Sequence, residues 1–211
     1  LFDHVDGDWS RRQDRYGALS TRKTSKKRES GFGSPLCQFT FDLHKVAENV
    51  YLHLLNTSTD YVYIMTPYLI LDDELVRSMT FAARRGVDVR IIMPGIPDKQ
   101  YAFDIATTYF KVLLDAGVRI FRYTPGFVHA KVYVSDAKQA VVGTINTDYR
   151  SLYQNFEDGV YLYKNLEVLN IEQDFEKTQA LSEEVTLESL SKMPIAHRLG
   201  GYLFSLIGPL M

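Results

Sequence analysis

The chain has 211 residues, 45% of them hydrophobic, with 24 Lys or Arg, 26 Asp or Glu and a formal net charge of −2. That is enough apolar material for one sizeable core, and no run of about twenty apolar residues exists to span a bilayer. A lone cysteine, Cys37, excludes an internal disulfide framework and a cysteine-based zinc site.

Charge is unevenly placed. Arg11 to Arg28 holds eight basic residues and one acid, leaving 16 basic and 25 acidic residues elsewhere. The basic stretch RRQDRYGALSTRKTSKKR has neither helical nor strand period and runs into GFGSP. Residues 1–39 therefore read as a flexible basic linker or the end of a preceding half, either a solvated connection or a contact for anionic lipid headgroups. Residues 40–211 read as one folded domain. Its acidic balance argues against a nucleic-acid substrate, which would call for a basic groove.

In chain order, a helix is predicted over Leu43–Leu55 with Val46, Val50 and Leu54 on one face, then a strand at Tyr61–Met65 that Thr66-Pro67-Tyr68 breaks. Asp72 and Asp73 start a second helix, and Gly86 ends it. After the strand Val87–Met93, Pro97 opens a helix closed by Gly117, with Ala102, Ile105, Ala106, Tyr109, Leu113 and Leu114 as its apolar stripe. The strand Val118–Tyr123 leads through Thr124-Pro125-Gly126 into another that starts at Val128. Further helices are predicted over Glu167–Leu181 and Glu183–Lys192. The last stretch, Ile195–Met211, reads as a short amphipathic helix that either docks on the core or lies at a membrane interface. This alternation implies an α/β layered domain.

The chemistry concentrates between Val128 and Glu157. Val128, Ala130, Val132 and Val134 alternate with His129, Lys131, Tyr133 and Ser135, so strand periodicity points the apolar set inward and puts His129 and Lys131 on one face. The run Ala140–Val142 ends at Gly143, where the missing Cβ lets a phosphate approach beside Thr144 and Asn146. Glu157, opening the run Phe156–Tyr163, is the candidate carboxylate to hold the second ring nitrogen of His129. Asp136, at the strand end, reads as a structural residue that caps the turn. Together these residues suit attack on a phosphate diester through a phosphohistidine, with Lys131 and Asn146 neutralising the phosphoryl oxygens without a metal. Tyr68, Tyr123, Phe127 and Tyr149 lie near strand ends, where they would exclude water from such a site or else serve as ordinary core.

His129-x-Lys131-x4-Asp136 followed by Gly143-Thr144-x-Asn146 resembles the signature of the phospholipase D superfamily. The strings YVYIMTPYLILDDEL, AARRGVDVRIIMPGIPDK, YTPGFVHAKVYVSD and GTINTDYRSLYQNFEDGVYLY are similar to those of the bacterial cardiolipin synthases within it, over residues 40 to 211. The resemblance implies a phospholipase D-like catalytic domain: a mixed β-sheet flanked by helices on both faces. By it, His129, Lys131, Asn146 and Glu157 take catalytic positions, with Asp136 completing the motif, and Thr144, Gly143 and Tyr68 are candidates for substrate binding. Members of this kind carry two such motifs that meet at one phosphate, and this chain has one. His4, His44, His53 and His197 lack a lysine two residues later and read as surface or helix histidines. With Leu1 as its first residue, the chain is expected to be the C-terminal half of a two-motif enzyme, its second histidine coming from the N-terminal half or a twofold-related copy. The implied reaction is phosphatidyl transfer between two phosphatidylglycerol molecules, giving cardiolipin and glycerol at the cell membrane surface with no cofactor. Which histidine is the nucleophile stays open. The alternatives are a phospholipase D-type hydrolase acting on lipid or nucleic acid as a homodimer, and a binding module without turnover.

Overall fold

Tyr61–Met65, aromatic or β-branched at four of its five positions, forms the centre of an eight-stranded sheet in the computed structural model, which describes residues 31–38 and 45–205, the side chains of 195–199 aside. The strands lie in the order β1 (Phe32–Gln38), β9 (Glu157–Tyr163), β7 (Gln139–Gly143), β6 (Val132–Ser135), β2 (Tyr61–Met65), β4 (Asp88–Pro94), β5 (Arg119–Tyr123) and β10 (Ser182–Val185). β2, β4 and β5 run parallel, and every other pairing is antiparallel. A separate parallel pair joins β3 (Leu69–Ile70) to β8 (Thr147–Asp148).

Both faces of the sheet are covered, as the mixed, two-sided α/β expectation required. Helices α1 (Val46–Thr57), α2 (Asp73–Arg84) and α3 (Gln100–Asp115) bring Tyr51, Leu55, Met79 and Phe110 onto Ile64, Ile91, Ile120 and Tyr133. On the other side α5 (Glu167–Ala180) brings Val168 and Phe175 onto Tyr63, Met65, Phe121 and Val134. Successive strand residues thus point into two separate apolar layers, which is why β2 and β4 read as nearly unbroken hydrophobic runs. Three shorter helices complete the fold: α4 (Tyr149–Tyr153), α6 (Leu187–Ser191) and α7 (Ile195–Ser205). Within the described residues, no helix is long and apolar enough to cross a membrane.

Several expectations need correcting. The GFGSP segment is not a flexible connection, because Phe32–Gln38 pairs along its whole length with β9; residues 1–30 lie outside the described residues. The helix predicted over Glu183–Lys192 is instead strand β10 followed by the short α6. Its polar residues sit on an edge strand, where Arg119 grips Glu184 through two bonds of 2.8 and 2.9 Å and Val185 is buried. The first helix starts at Val46 and buries Ala47, Tyr51, Leu54 and Leu55, with Val46 and Val50 at the margin. Pro97 does not open α3, which begins at Gln100, and Phe110 rather than Tyr109 fills its buried stripe.

Helix α7 docks on the core. In α7, a Cβ on Gly201 would lie 2.2 Å from the carbonyl oxygen of Asp104, so only glycine permits this contact with α3. Phe204 packs on Ile70, Ala102 and Ile105, while Tyr202 and Leu203 face outward. Leu206, Ile207 and Leu210 fall outside the described residues.

Asp136 holds a distant segment rather than capping its own turn. Its carboxylate accepts from the backbone N–H groups of Thr59 (2.8 Å), Asp60 (3.0 Å) and Tyr61 (2.9 Å) and from the Thr59 hydroxyl (3.2 Å), tying the β6 end to the start of β2. Burial by itself would raise its pKa, but the three amide donors outweigh that and hold it below the ordinary aspartate range. A carboxyl so lowered stabilises the fold at neutral pH and loses that contribution as pH falls through the acid range. Asp136→Ala is expected to reduce the unfolding free energy at pH 7 by about 3 kcal/mol, the scale of stranding buried donors. In urea titrations the gap to wild type should close as the pH drops below about 4.

Candidate active site

β6 begins at Val132, so His129 and Lys131 precede the strand instead of lying within it. The ladders begin at Val132, whose partners are Met65, the last residue of β2, and Val142 of β7, a strand that itself runs one residue further to Gly143. Upstream of that point one bond continues the ladder, from the Gly143 N–H to the Lys131 carbonyl at 3.3 Å. The alternation is still respected further along, where Val132 and Val134 pack in the α5 layer and Tyr133 stacks on Tyr51 at 3.9 Å in the other.

His129 is exposed, its imidazole stacked on Phe127 with ring centres 5.6 Å apart. Lys131 is buried, and its ammonium donates to the His129 carbonyl at 2.8 Å. Desolvation pushes its pKa down, and the fields of Glu157 and Asp148 only partly offset this. Among the described residues no carboxylate forms an ion pair with it.

Gly143 plays a different part from the one expected. A Cβ there would sit 2.3 Å from the Asp158 carbonyl oxygen and 2.5 Å from the Gly159 Cα. Glycine is required here by the close approach of β9. From that crossing the loop turns so that the Thr144 N–H donates to the Asp158 carbonyl at 2.8 Å and the Thr144 hydroxyl donates to Glu157.

Glu157 anchors a network. Besides Thr144, its carboxylate accepts from the Ser151 hydroxyl at 3.1 Å and the Asn155 amide at 3.0 Å. Asn146 donates to the same Ser151 hydroxyl at 3.0 Å. Ser151 is placed by α4, whose N-cap Asp148 accepts from the Ser151 N–H at 2.7 Å. Burial, the strongest influence on Asp148, raises its pKa. The structure therefore unites Thr144, Asn146 and Glu157 through Ser151, and among the described residues no hydrogen bond joins Glu157 to His129.

Tyr68 lies across a cleft of about 600 Å³ lined also by Asn146, Lys99, Tyr101, Arg150 and Asn155. Its hydroxyl donates to Asp98 at 2.6 Å. Of the other aromatic candidates, Phe127 contacts His129, whereas Tyr123 packs in the α5 layer and Tyr149 against Ile70 and Ala102. His53 is exposed on α1; His4, His44 and the side chain of His197 lie outside the described residues. Ser151, Asn155 and Asp148 were not singled out from sequence. The signal was present, since Asp148 three residues ahead of Ser151 has the spacing of an N-cap.

Residues 51–179 match the family described as "Cardiolipin synthase, PLD-like domain". A protein of Streptococcus mutans serotype c, called only an uncharacterized protein, is 52% identical over 182 residues, covering 86% of this chain and 40% of its own length. The cardiolipin synthase of Clostridium perfringens strain SM101 is 39% identical over 164 residues, 78% of this chain and 34% of that one. Among solved structures, the phosphatidylserine synthase of Haemophilus influenzae superposes with a TM-score of 0.64 at 18% identity, covering 89% of this chain and 49% of the other. The chain thus spans less than half the length of each of these proteins.

Replacing Ser151 by Ala removes the acceptor for Asn146 and a donor to Glu157 inside one network. Unfolding in urea should show a loss of about 2 kcal/mol, the scale for leaving buried polar partners unmatched.

Proposed function

Because the chain belongs to the family of cardiolipin synthase, PLD-like domains, we propose that it forms one half of a phosphatidyltransferase that joins two phosphatidylglycerol molecules into cardiolipin at the membrane surface. The observation that carries this reading is Lys131: a buried ammonium whose hydrogen bond goes to a carbonyl, 2.8 Å away, and not to a carboxylate. Such a cation is costly to bury unless an anion compensates it, and the phosphate of a phospholipid is that anion.

His129 stands exposed next to this cation, where an incoming phosphodiester is accessible. In the first step one imidazole nitrogen attacks the donor phosphorus. The P–N bond forms, the P–O bond to glycerol breaks, and a second imidazole delivers a proton to the departing glycerol oxygen. The terminal hydroxyl of the second lipid then yields its proton to that second imidazole and attacks phosphorus, so that P–O forms as P–N breaks. Lys131 and the carboxamide of Asn146 neutralise charge on the phosphoryl oxygens, with Asn146 aimed by Ser151 at 3.0 Å. Thr144 and Glu157 brace this loop. The second imidazole comes from the other half of the same enzyme or a twofold-related copy.

His129→Ala in the intact protein should reduce cardiolipin formation by several orders of magnitude, the scale of removing a nucleophile or its acid partner. Lys131→Met should reduce it comparably while leaving stability within about 1 kcal/mol of wild type, since burial of the charge was itself unfavourable. Both are read from vesicles of labelled phosphatidylglycerol, scored for cardiolipin plus glycerol against phosphatidic acid. Release of phosphatidic acid alone by the wild type would reject transfer in favour of hydrolysis, and near-normal synthesis by His129→Ala would reject the site.

A further inference from the structure

Joining two phosphatidylglycerol molecules brings two phosphates together, and Lys131 with Asn146 neutralises only the one that reacts. The cleft of about 600 Å³ beside Asn146 carries two further cations, Lys99 and Arg150, on its walls. Neither has an ion-pair partner among the described residues. The Lys99 ammonium lies 5.6 Å from the centre of the Tyr68 ring, and the Arg150 Nε donates to the Asn155 side chain at 3.4 Å. The nearby acids are already engaged: Asp98 accepts from the Tyr68 hydroxyl at 2.6 Å, and Asp148 accepts from the Ser151 N–H at 2.7 Å. Outside the Arg11–Arg28 stretch the chain has 25 acids against 16 basic residues, so two cations without acidic partners among the described residues, lining one cleft, call for an anionic ligand.

We propose that this cleft is the acceptor subsite, in which Lys99 and Arg150 hold the phosphate of the second phosphatidylglycerol and direct its terminal hydroxyl past Asn146 to the reacting phosphorus. The volume fits a glycerophosphate headgroup, being in the range of small-ligand sites and more than a single phosphate would fill. Tyr68 and Tyr101, which also line the cleft, supply hydroxyls and ring faces for the glycerol. The inference rests on the transferase reading above. It adds no reactant: the acceptor oxygen bonds to phosphorus, the phosphohistidine bond breaks, and the proton leaves on the second imidazole.

The acceptor's phosphate can be tested apart from the chemistry by letting two acceptors compete. The intact protein is given phosphatidylglycerol vesicles containing ethanol, a neutral acceptor, and the ratio of cardiolipin to phosphatidylethanol is measured. For Lys99→Ala/Arg150→Ala that ratio should fall at least tenfold from the wild-type value, through a raised KM for the lipid acceptor. An unchanged ratio overturns the subsite, whether both products persist or both decline together. Should the double variant fail to fold, Lys99→Gln alone is read in the same way, with a fall of at least threefold expected and an unchanged ratio again fatal. A wild type that forms neither cardiolipin nor phosphatidylethanol defeats the transferase reading itself and this inference with it, which separates the two failures.

Discussion

At Gly143 the backbones of β7 and β9 come closer than any side chain would allow, and the loop that carries Thr144 and Asn146 leaves the sheet from that crossing. Gly143 faces Gly159 across the ladder, so neither strand brings a Cβ to the contact. Just beyond it the Thr144 N–H reaches the Asp158 carbonyl at 2.8 Å, which swings the loop over the strand that begins with Glu157. Two more bonds pin the loop from beneath: the Tyr51 hydroxyl donates to the Ile145 carbonyl at 2.8 Å, and the Thr147 N–H donates to the Thr66 hydroxyl at 3.2 Å. Loop, strand and first helix are thereby made one rigid unit, as a preorganised anion site requires.

The site divides into a hydrogen-bonded part and an outward-facing part. Hydrogen bonds join Thr144, Asn146, Ser151, Asn155 and Glu157, and they leave the buried Asn146 Oδ1 without a partner among the described residues. His129 and Lys131, which precede the β6 ladder with β2 and β7, are the residues proposed to carry the chemistry. Lys131 is the destabilising member, a buried cation whose pKa is lowered by desolvation. Asp136 lies at the far end of the same strand and works in the opposite sense, gathering three backbone donors to lock β6 onto β2. One four-residue strand thus joins a stabilising anchor to a costly functional cation, the arrangement expected where function opposes stability.

The proposed two-imidazole reading has a geometric consequence for a chain with one copy of the motif: the second half would approach where His129 is exposed, next to Phe127. The chain spans 34% of the Clostridium perfringens relative and 40% of the Streptococcus mutans one.

Local signals in the sequence determined the central strands of the sheet, the caps of α2 and the residues of the motif. Tyr61–Met65 is found as expected; Asp72 caps α2 by accepting from the Leu75 N–H at 2.7 Å, and Gly86 takes a φ of 97°. Each of these depends on neighbours within a few residues, through strand period, side-chain capping or glycine's conformational freedom. Tertiary structure alone decided the edges and the supports. Phe32–Gln38 and Ser182–Val185 became strands because β9 and β5 offered unpaired backbone groups, a demand that reaches them from more than fifty residues away. Ser151 became the centre of the network because α4, β7 and β9 converge on it, and Gly143 and Gly201 were required by backbones approaching from elsewhere in the chain. Composition and period record what a residue prefers, whereas register and close approach depend on which distant segment meets it in the folded chain.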